Sequence, residues 1–423
     1  MQSALSARPV WLTHLLLMLG ALALPAFCHA APAALPPALH RADSPGPCAA
    51  PQPAAVPAAQ SPPATPVEPI IDVYTMGPGG YFFSLFGHAA ICVTDAQSPA
   101  GRCYNWGTAD FSNPLRLAWQ VMRGRAQFWV GTVALPRMVV NYMAEDRSLY
   151  RQRLRLSAAA TQRIVDRLHR VDDRVQSQYT YHNLRDNCTT RVRDLINDAA
   201  NDLLSADPRL HHRDQPSFRS YSYEGFAGRP HLLAGALLLF GRATDHPTSR
   251  YEGLFLPRIL REEVATRLQI LPDPVYQRSG PSPHGSRHAG VLFLLGTGLL
   301  AGLTCLLLGL RGAFAAALRV ATLPLGLVGC LLGLLLVVSP LPELRYNEVL
   351  LLCWPSDLFV PELSAPRRRA YLNLRLAGCA VAPLGVWLGL LKQPLWGPLL
   401  WVVPALLAAW VTARRCDRER LER

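Results

Sequence analysis

A cysteine inside a short polar segment, Asp186-Asn-Cys-Thr-Thr-Arg191, has the clearest chemical potential in the sequence. Asn187 is a residue type that caps helices, so Cys188 is predicted to lie in the first turn of a helix. The positive end of a helix dipole favours a thiolate over a thiol, and the unpaired N–H groups of a first turn can bind an oxyanion. The segment therefore indicates a nucleophilic thiol at Cys188.

A nucleophilic thiol needs a nearby base, and His88 is the candidate. His88 opens a predicted strand directly after the glycine-broken loop of residues 77–87, a position that favours a cleft over a core. Asn105, on the following predicted strand, is the candidate to orient the imidazole, and His182 competes for a supporting role. The residues alone leave open the alternative that Cys188 is structural and that His88 is an ordinary hydrogen-bonded histidine.

Strands and helices together have to position these side chains. Strands are predicted at residues 70–76, 88–93 and 102–106, because apolar residues there are bounded by turns rich in glycine and proline. Ser157 and Asn187 are each predicted to cap a helix. The folded part of the chain is therefore predicted to be of the α+β class.

The arrangement of the other cysteines and the absence of common catalytic motifs argue against several other kinds of site. None of the ten cysteines is arranged as a CxxC pair, which argues against a zinc ribbon or a thioredoxin-type motif. Cys92 and Cys103 lie across a predicted hairpin and could form a disulfide in an oxidising compartment, while Cys48 is an alternative partner for Cys188. The sequence has no Walker loop, HExxH, GxSxG or GxGxxG motif and no histidines at metal-ligand spacing, so neither a metal nor a cofactor is expected.

The beginning of the chain predicts export. Residues 1–30 contain a basic residue, an apolar run and then small residues, which is the layout of a secretory signal peptide or a signal anchor. Residues 31–68 are mostly alanine and proline and are predicted to form a disordered linker. The folded domain, predicted at residues 69–275, would therefore lie outside the cytoplasm.

The C-terminal part predicts a membrane bundle of about five helices over residues 289–413, followed by a basic cytoplasmic tail at residues 414–423. One apolar segment, residues 347–362, is short and is interrupted by Trp354-Pro-Ser-Asp357. The other spans have the length needed to cross about 30 Å of hydrocarbon, and they are predicted at residues 289–310, 320–339, 372–391 and 395–412.

Arginine clusters set the predicted orientation of this bundle, because cytoplasmic loops are enriched in arginine and lysine. All clusters fall on the cytoplasmic side only if residues 347–362 form a fifth crossing, whereas a re-entrant segment would leave one cluster outside. Five crossings are therefore predicted. Asn347, Glu348 and Asp357 would then line a cavity or lie at the outer interface. The clusters comprise Arg311 and Arg319, then Arg367, Arg368 and Arg369, and finally Arg414 and Arg415.

Composition argues against two classes of protein. Half of the residues are hydrophobic and 17% are charged, which is too apolar for a wholly soluble protein. The net charge is +13, but the basic residues are almost all scattered arginines, with Lys392 the single lysine. No basic run is interleaved with aromatic residues, so nucleic acid is not an expected partner.

Several short segments, taken in order, resemble the periplasmic domain of the DUF4105 family, which includes the lipoprotein N-acyltransferase Lnb. The resemblance covers about residues 69–275, and in the membrane part mainly residues 347–355 are similar. The segments that carry it are Tyr74-Thr-Met-Gly-Pro-Gly79, Ser84-Leu-Phe-Gly-His88, Tyr104-Asn-Trp-Gly107, Asp146-Arg-Ser148, Tyr179-Thr-Tyr181, Asp186-Asn-Cys-Thr-Thr-Arg191, Ser217-Phe-Arg219, Gly241, Asp245 and Glu252-Gly-Leu-Phe-Leu-Pro257.

The resemblance implies a permuted papain-like (NlpC/P60-like) domain, in which the histidine strand precedes the cysteine helix, followed by an all-α transmembrane bundle. It also implies that Cys188 carries an acyl thioester and that His88 acts first as base and then as acid. The substrate would be lipid-linked, such as a lipoprotein or a phospholipid, at the outer face of the bacterial inner membrane. His182 departs from the family pattern, because an acidic or amide residue is expected there.

Two other functions remain open on the sequence. The first is a cysteine hydrolase, such as an amidase of the cell envelope, although such enzymes rarely need five crossings. The second is a non-enzymatic envelope protein with an inert Cys188. The sequence leaves the oligomeric state, the acyl donor and the acceptor undetermined.

Overall fold

The computed structural model of the chain describes residues 68–171, 175–283 and 285–422. Within these residues, a mixed α/β domain containing a sheet precedes a helical region. The predicted signal segment, residues 1–30, and nearly all of the predicted linker, residues 31–68, lie outside the described residues, as does Cys48.

An antiparallel sheet of seven strands forms the centre of the domain. The three strands predicted from the sequence are confirmed, and each starts at its predicted residue. The strands are β1 Ile70–Met76, β2 His88–Thr94, β3 Arg102–Thr108, β4 Gln127–Ala134, β5 Leu149–Arg153, β6 Tyr179–Thr180, β7 Gln215–Ser217, β8 Pro247–Thr248 and β9 Asp273–Tyr276. Their order in the main sheet is β6-β4-β3-β2-β1-β5-β9, and β7 pairs with β8 in a separate small sheet.

Eight α-helices accompany the sheet in the described part of the domain. Both predicted caps are confirmed, because the side chain of Ser157 accepts from the N–H of Ala160 and the side chain of Asn187 accepts from the first turn of its helix. The helices are α1 Pro114–Met122, α2 Leu135–Ala144, α3 Ala158–Arg170, α4 Cys188–Ala199, α5 Phe218–Phe226, α6 Pro230–Leu239, α7 Arg250–Gly253 and α8 Pro257–Arg267.

Side chains alternate across the sheet, so each face has its own core. On one face, residues such as Ile91 and Tyr104 pack with Ile196 of α4 in the larger apolar cluster. On the other face, a smaller cluster includes Met138 of α2 together with the disulfide-bonded Cys92 and Cys103. The disulfide that the sequence allowed is therefore formed, and Cys188 has a free thiol.

The C-terminal region consists of α9 Ala289–Leu310, α10 Phe314–Val338, α11 Pro342–Arg345, α12 Ala365–Trp387 and α13 Trp396–Leu421. Among the described residues, three helices are long and apolar enough to cross a membrane, namely α9, α10 and residues Trp396–Glu419 of α13. Helix α9 has its predicted bounds. Helices α10, α12 and α13 extend beyond their predicted spans at arginine-containing ends, because backbone hydrogen bonding continues where hydropathy falls. At its other end α12 stops at Trp387, before the predicted residue 391, where Gly389 has a φ of +71°. Part of the predicted tail, residues 414–423, is thus helical.

Residues 347–362 differ from the predicted helix. They form two 3₁₀ helices, Glu348–Leu351 and Pro355–Glu362, since Pro355 and Pro361 cannot donate to an α-helical ladder. The segment runs along α10 in the opposite direction: the Cys353 backbone lies against Gly329, Leu358 against Gly326, and Glu362 pairs with Arg319 at 3.0 Å.

The arginine clusters consequently gather at one end of the bundle. At this end Arg319 pairs with Glu362, and Arg368 and Arg369 both pair with Asp417 of α13, at 2.7 Å and 3.2 Å. This is the arrangement that a fifth crossing by residues 347–362 requires. The crossing itself stays a prediction.

The opposite end of the bundle contacts the sheet-containing domain. The Ser339 hydroxyl donates to the Met122 carbonyl at 2.7 Å, and the Asn347 amide donates to the Leu238 carbonyl at 2.8 Å. The N–H of Gly241 donates to the carbonyl of Glu343 at 2.7 Å. These contacts join the domain to the segment that follows α10.

Candidate active site

The Asn187 side chain sets the position of Cys188. Its oxygen accepts the N–H groups of Thr189 and Thr190 at 2.9 Å and 3.0 Å, and its amide donates to the carbonyls of Asn183 and Phe255. Every hydrogen-bonding group of this cap is therefore used, which fixes Cys188 as the first residue of α4. The predicted position of the thiol at a helix start is confirmed.

Asp186 and Arg191, the first and last residues of the same segment, form an ion pair that stabilises it. The Arg191 guanidinium donates to both oxygens of Asp186, at 2.5 Å and 2.7 Å, and lies 4.3 Å from the centre of the Tyr179 ring. A two-point arginine–carboxylate pair holds its partners in one geometry. Asp186 and Arg191 therefore hold the loop against the helix start and are placed to support Cys188.

His88 lies at the first position of β2, behind a turn that requires glycine. Gly87 has a φ of +86°, and a Cβ there would lie 2.5 Å from the Met76 carbonyl oxygen. The Nε2 of His88 lies 3.2 Å from the Asn105 side-chain oxygen. Because an amide oxygen accepts, Nε2 is the donor in this contact, and Nδ1 is the ring nitrogen that it leaves free. The ring also stacks on Tyr142, with centroids 6.4 Å apart.

Cys188 and His88, a hundred positions apart in sequence, meet at this point. Burial opposes ionisation of the thiol. The charge and hydrogen bond of His88, together with hydrogen bonds from the Ala89 N–H and the Thr189 hydroxyl, outweigh burial and lower the Cys188 pKa to about 7. Gly107 of β3 lies beside Cys188, and its φ of +95° is a backbone conformation that favours glycine.

Asn105 therefore lies where the sequence predicted it, and His182 does not join the group. The Nδ1 of His182 accepts the N–H of Leu184 at 3.2 Å, and its Nε2 lies 3.8 Å from Glu343. Burial lowers the pKa of His182, which favours the neutral imidazole. His182 thus belongs to the junction between the domain and the bundle.

The thiol opens into an apolar cavity of about 210 Å³. Its walls come from the loop before His88, from α5 and from the bundle loop after α10, so they combine domain and bundle. The residues that line it are mostly aromatic or aliphatic and include Phe82, Phe83, Phe86, Val121, Tyr181, Leu184, Phe226, Phe240, Phe255, Leu341 and Leu344. This apolar wall was not predicted from the sequence. Among its residues, Phe86 lies in a motif noted in the sequence, Ser84–His88.

The presence of an acidic residue in the wall of this cavity was also not predicted from the sequence. Glu343 of α11 lines it and is 5% exposed. One carboxylate oxygen accepts from Arg185 at 2.7 Å, whereas the other has no hydrogen-bond donor among the described residues. The only sequence signal for Glu343 is its place between two apolar spans. No three histidine, cysteine or acidic side chains in residues 68–171, 175–283 and 285–422 converge to hold a metal ion.

The lowered pKa predicts how Cys188 reacts with pH. Alkylation by iodoacetamide should reach half its maximal rate near pH 7, because the thiolate forms as the pH rises through the Cys188 pKa of about 7. In His88→Ala the pKa should rise towards its ordinary value of 9.0, since burial is then opposed only by the hydrogen bonds from Ala89 and Thr189. At neutral pH the thiolate fraction would fall from about a half towards about a hundredth. Mass spectrometry of the Cys188 peptide measures the rate, with His231→Ala as control; a superimposable profile in His88→Ala would contradict the contact.

Comparison with known proteins identifies one family model that matches part of the chain. Residues 65–220, a little over a third of the chain, match the family model described as the Lnb N-terminal periplasmic domain. No protein of curated function and no solved structure matches the chain. The match includes His88, Asn105 and Cys188, whereas the bundle lies outside it. Residues 65–220 are therefore similar to the Lnb N-terminal periplasmic domain, and together with the three candidate membrane helices this similarity supports a membrane protein with a periplasmic domain.

Proposed function

We propose that this chain is a membrane-anchored thiol acyltransferase that acts on lipid-linked substrates, namely bacterial lipoproteins. The observation that carries the proposal is the position of Cys188, in contact with His88 and opening into an apolar cavity. A low-pKa thiol suits nucleophilic catalysis, and an apolar wall suits an acyl chain, whose burial contributes about 0.8 kcal/mol per methylene.

In the first half-reaction, the Cys188 sulfur attacks the carbonyl carbon of an acyl ester on the lipid's glycerol. The C–S bond forms and the ester C–O bond breaks, giving an acyl thioester and a free glycerol hydroxyl. His88 takes the thiol proton and delivers it to the leaving oxygen, while Asn105 holds the ring. The Cys188 N–H, at the positive end of α4, is placed to stabilise the oxyanion.

In the second half-reaction, the terminal amine of a lipoprotein attacks the thioester carbonyl. The C–N bond forms, the C–S bond breaks, and His88 carries a proton from the amine to the departing sulfur. The products are an N-acylated lipoprotein and the original thiol. No redox partner is needed in either step.

The fold proposed for the domain is a permuted papain-like one. It is supported by a cysteine at the start of α4, which packs on β2 and β3, and by a histidine and an asparagine on those same two strands. The histidine strand precedes the cysteine helix, which is the order the permutation requires.

The proposed membrane topology has five crossings of the bacterial inner membrane with the domain outside. The arginine-rich end of the bundle would be cytoplasmic, and the opposite end carries the domain. Leu341 and Leu344, from the loop at the outer end of α10, line the cavity of Cys188. An acyl chain could thus enter from the outer leaflet without crossing water.

Glu343 is proposed to bind the acceptor amine, because its side chain lines the cavity and one carboxylate oxygen accepts no hydrogen bond among the described residues. In Glu343→Gln the second half-reaction should slow by about tenfold or more, since roughly 1.4 kcal/mol of charge-assisted binding corresponds to tenfold. Thioester formation should change little, so the acyl-Cys188 species should accumulate and be visible by intact-protein mass spectrometry. Glu362→Gln, which removes a carboxylate at the far end of the bundle, is the matched control. Equal slowing of both steps would refute this role.

The function itself is tested in cells that make lipoproteins but lack their own N-acylating enzymes. Mass spectrometry of the lipoproteins should show an acyl chain on the terminal amine only when the full chain is produced. Release of free fatty acid without N-acylation would instead identify a hydrolase. Unchanged lipoproteins and lipids would exclude the proposed reaction.

A further inference from the structure

A second cavity, of about 940 Å³, lies beside the one at Cys188. It is bounded by the loop of residues 77–80, by the start of α8 and by Ala289, the first residue of α9. Because α9 begins at the end of the bundle that carries the domain, the cavity lies level with the proposed outer face of the membrane. Phe86 and Pro257 line both cavities, which therefore share a wall.

The charge of this cavity is unbalanced. Four arginines and one carboxylate line it, together with His231. Two of the arginines have acidic neighbours: Arg258 pairs with Glu262 at 3.0 Å and with Glu224 at 3.5 Å, and Arg278 lies 3.8 Å from Asp146.

The other two arginines have no carboxylate partner among the described residues. Arg261 of α8 is half-buried, and its guanidinium stacks on the Tyr150 ring at 4.0 Å. Arg229 is also half-buried and donates to the carbonyl oxygen of Gly80. Burial lowers the pKa of Arg261, which reflects the cost of a charge removed from water without a counter-ion.

We infer that this cavity binds a phosphate group, with Arg261 and Arg229 as its principal ligands. A guanidinium offers a planar fork that matches two phosphate oxygens, and a half-buried one gains most from an anion. The level of the cavity favours the phosphate of a lipid headgroup as the source over free phosphate. This inference goes beyond the acyl transfer proposed above and does not depend on the reactivity of Cys188.

The experiment uses the full chain purified in detergent and isothermal titration with three probes. These are dihexanoyl phosphatidylglycerol, inorganic phosphate, and dihexanoylglycerol, which lacks the phosphate. Arg261→Gln and Arg229→Gln should each weaken binding of phosphatidylglycerol at least tenfold. Arg155→Gln, which removes an exposed arginine outside the cavity, should leave binding unchanged. Thermal unfolding of each variant reports folding; the Arg261 change spares the backbone carbonyl that accepts from Gln152.

Each outcome decides the inference. Arginine-dependent binding of phosphatidylglycerol alone supports a lipid headgroup, and arginine-dependent binding of inorganic phosphate alone supports a free phosphate. Competition between the two at the same arginines supports recognition of the phosphate group itself. Binding that is equal for dihexanoylglycerol, or unchanged in both folded arginine variants, overturns the inference, as does no binding of either phosphate probe.

Discussion

Replacing Cys188 with alanine should abolish acyl transfer while leaving the fold intact. The sulfur is the atom proposed to form the thioester, so its loss removes the first covalent step and the rate should fall by about 10³-fold or more. The fold should survive, because the residue is only half-buried and the helix cap is made by Asn187 and not by the thiol. Incubation with a labelled diacylglyceryl lipoprotein, followed by intact-protein and lipoprotein mass spectrometry, measures both the thioester and the product.

The matched control is Cys330→Ala. It removes a different free cysteine, which is exposed on α10 and does not line the cavity. It should retain full activity. Undiminished N-acylation by a folded Cys188→Ala protein would show that the thiol has no part in the reaction. Asn105→Ala should give an intermediate loss, because the imidazole keeps its contact with the sulfur but loses the hydrogen bond that orients it.

The second large effect concerns stability and arises inside the bundle. Asp357 and Arg375 are both fully buried, and the guanidinium donates to the two carboxylate oxygens at 2.8 Å and 2.7 Å. Tyr371 also donates to the carboxylate, at 2.8 Å, and Arg375 donates to the Leu352 carbonyl at 2.5 Å. Asp357→Ala would leave a buried guanidinium without its counter-ion. The free energy of unfolding should therefore fall by about 3–5 kcal/mol.

Unfolding of the full chain in mixed detergent micelles measures this loss. The double variant Asp357→Ala with Arg375→Leu should recover much of the stability, because it removes both charges. Glu362→Ala, which breaks the exposed pair with Arg319, should cost at most about 1 kcal/mol. A loss in Asp357→Ala no larger than that of Glu362→Ala would mean that the pair contributes little to the bundle.

The backbone conformation of residues 347–362 positions Asp357 for this ion pair. Prolines break the segment into 3₁₀ turns, so it passes along α10 without a continuous helix. The carboxylate of Asp357 accepts the N–H of Trp354 at 3.2 Å and so ties one turn of the segment to α12. The sequence predicts that the polar residues of this segment line a cavity or lie at the outer interface. Asn347 and Glu348 lie at the junction with the domain, whereas Asp357 is in neither place and is paired inside the bundle.

What the sequence by itself determined is the local part of this protein. Strands β1 to β3, the caps at Ser157 and Asn187, and the helix α9 follow from neighbouring residues, because dihedral preferences, capping bonds and apolar length act over a few positions. The positions of His88 and Cys188 at the starts of such elements, and of Asn105 within β3, follow in the same way.

Only the tertiary structure decided what surrounds these residues. The apolar wall at Cys188 combines Phe86, Phe226 and Leu341, which lie far apart in sequence, and Glu343 comes from the membrane region. The partners of Arg261 and Asp357 are likewise set by packing. A side chain such as glutamate or arginine has many acceptable partners in a sequence, and the choice among them depends on which surfaces the packed elements bring together.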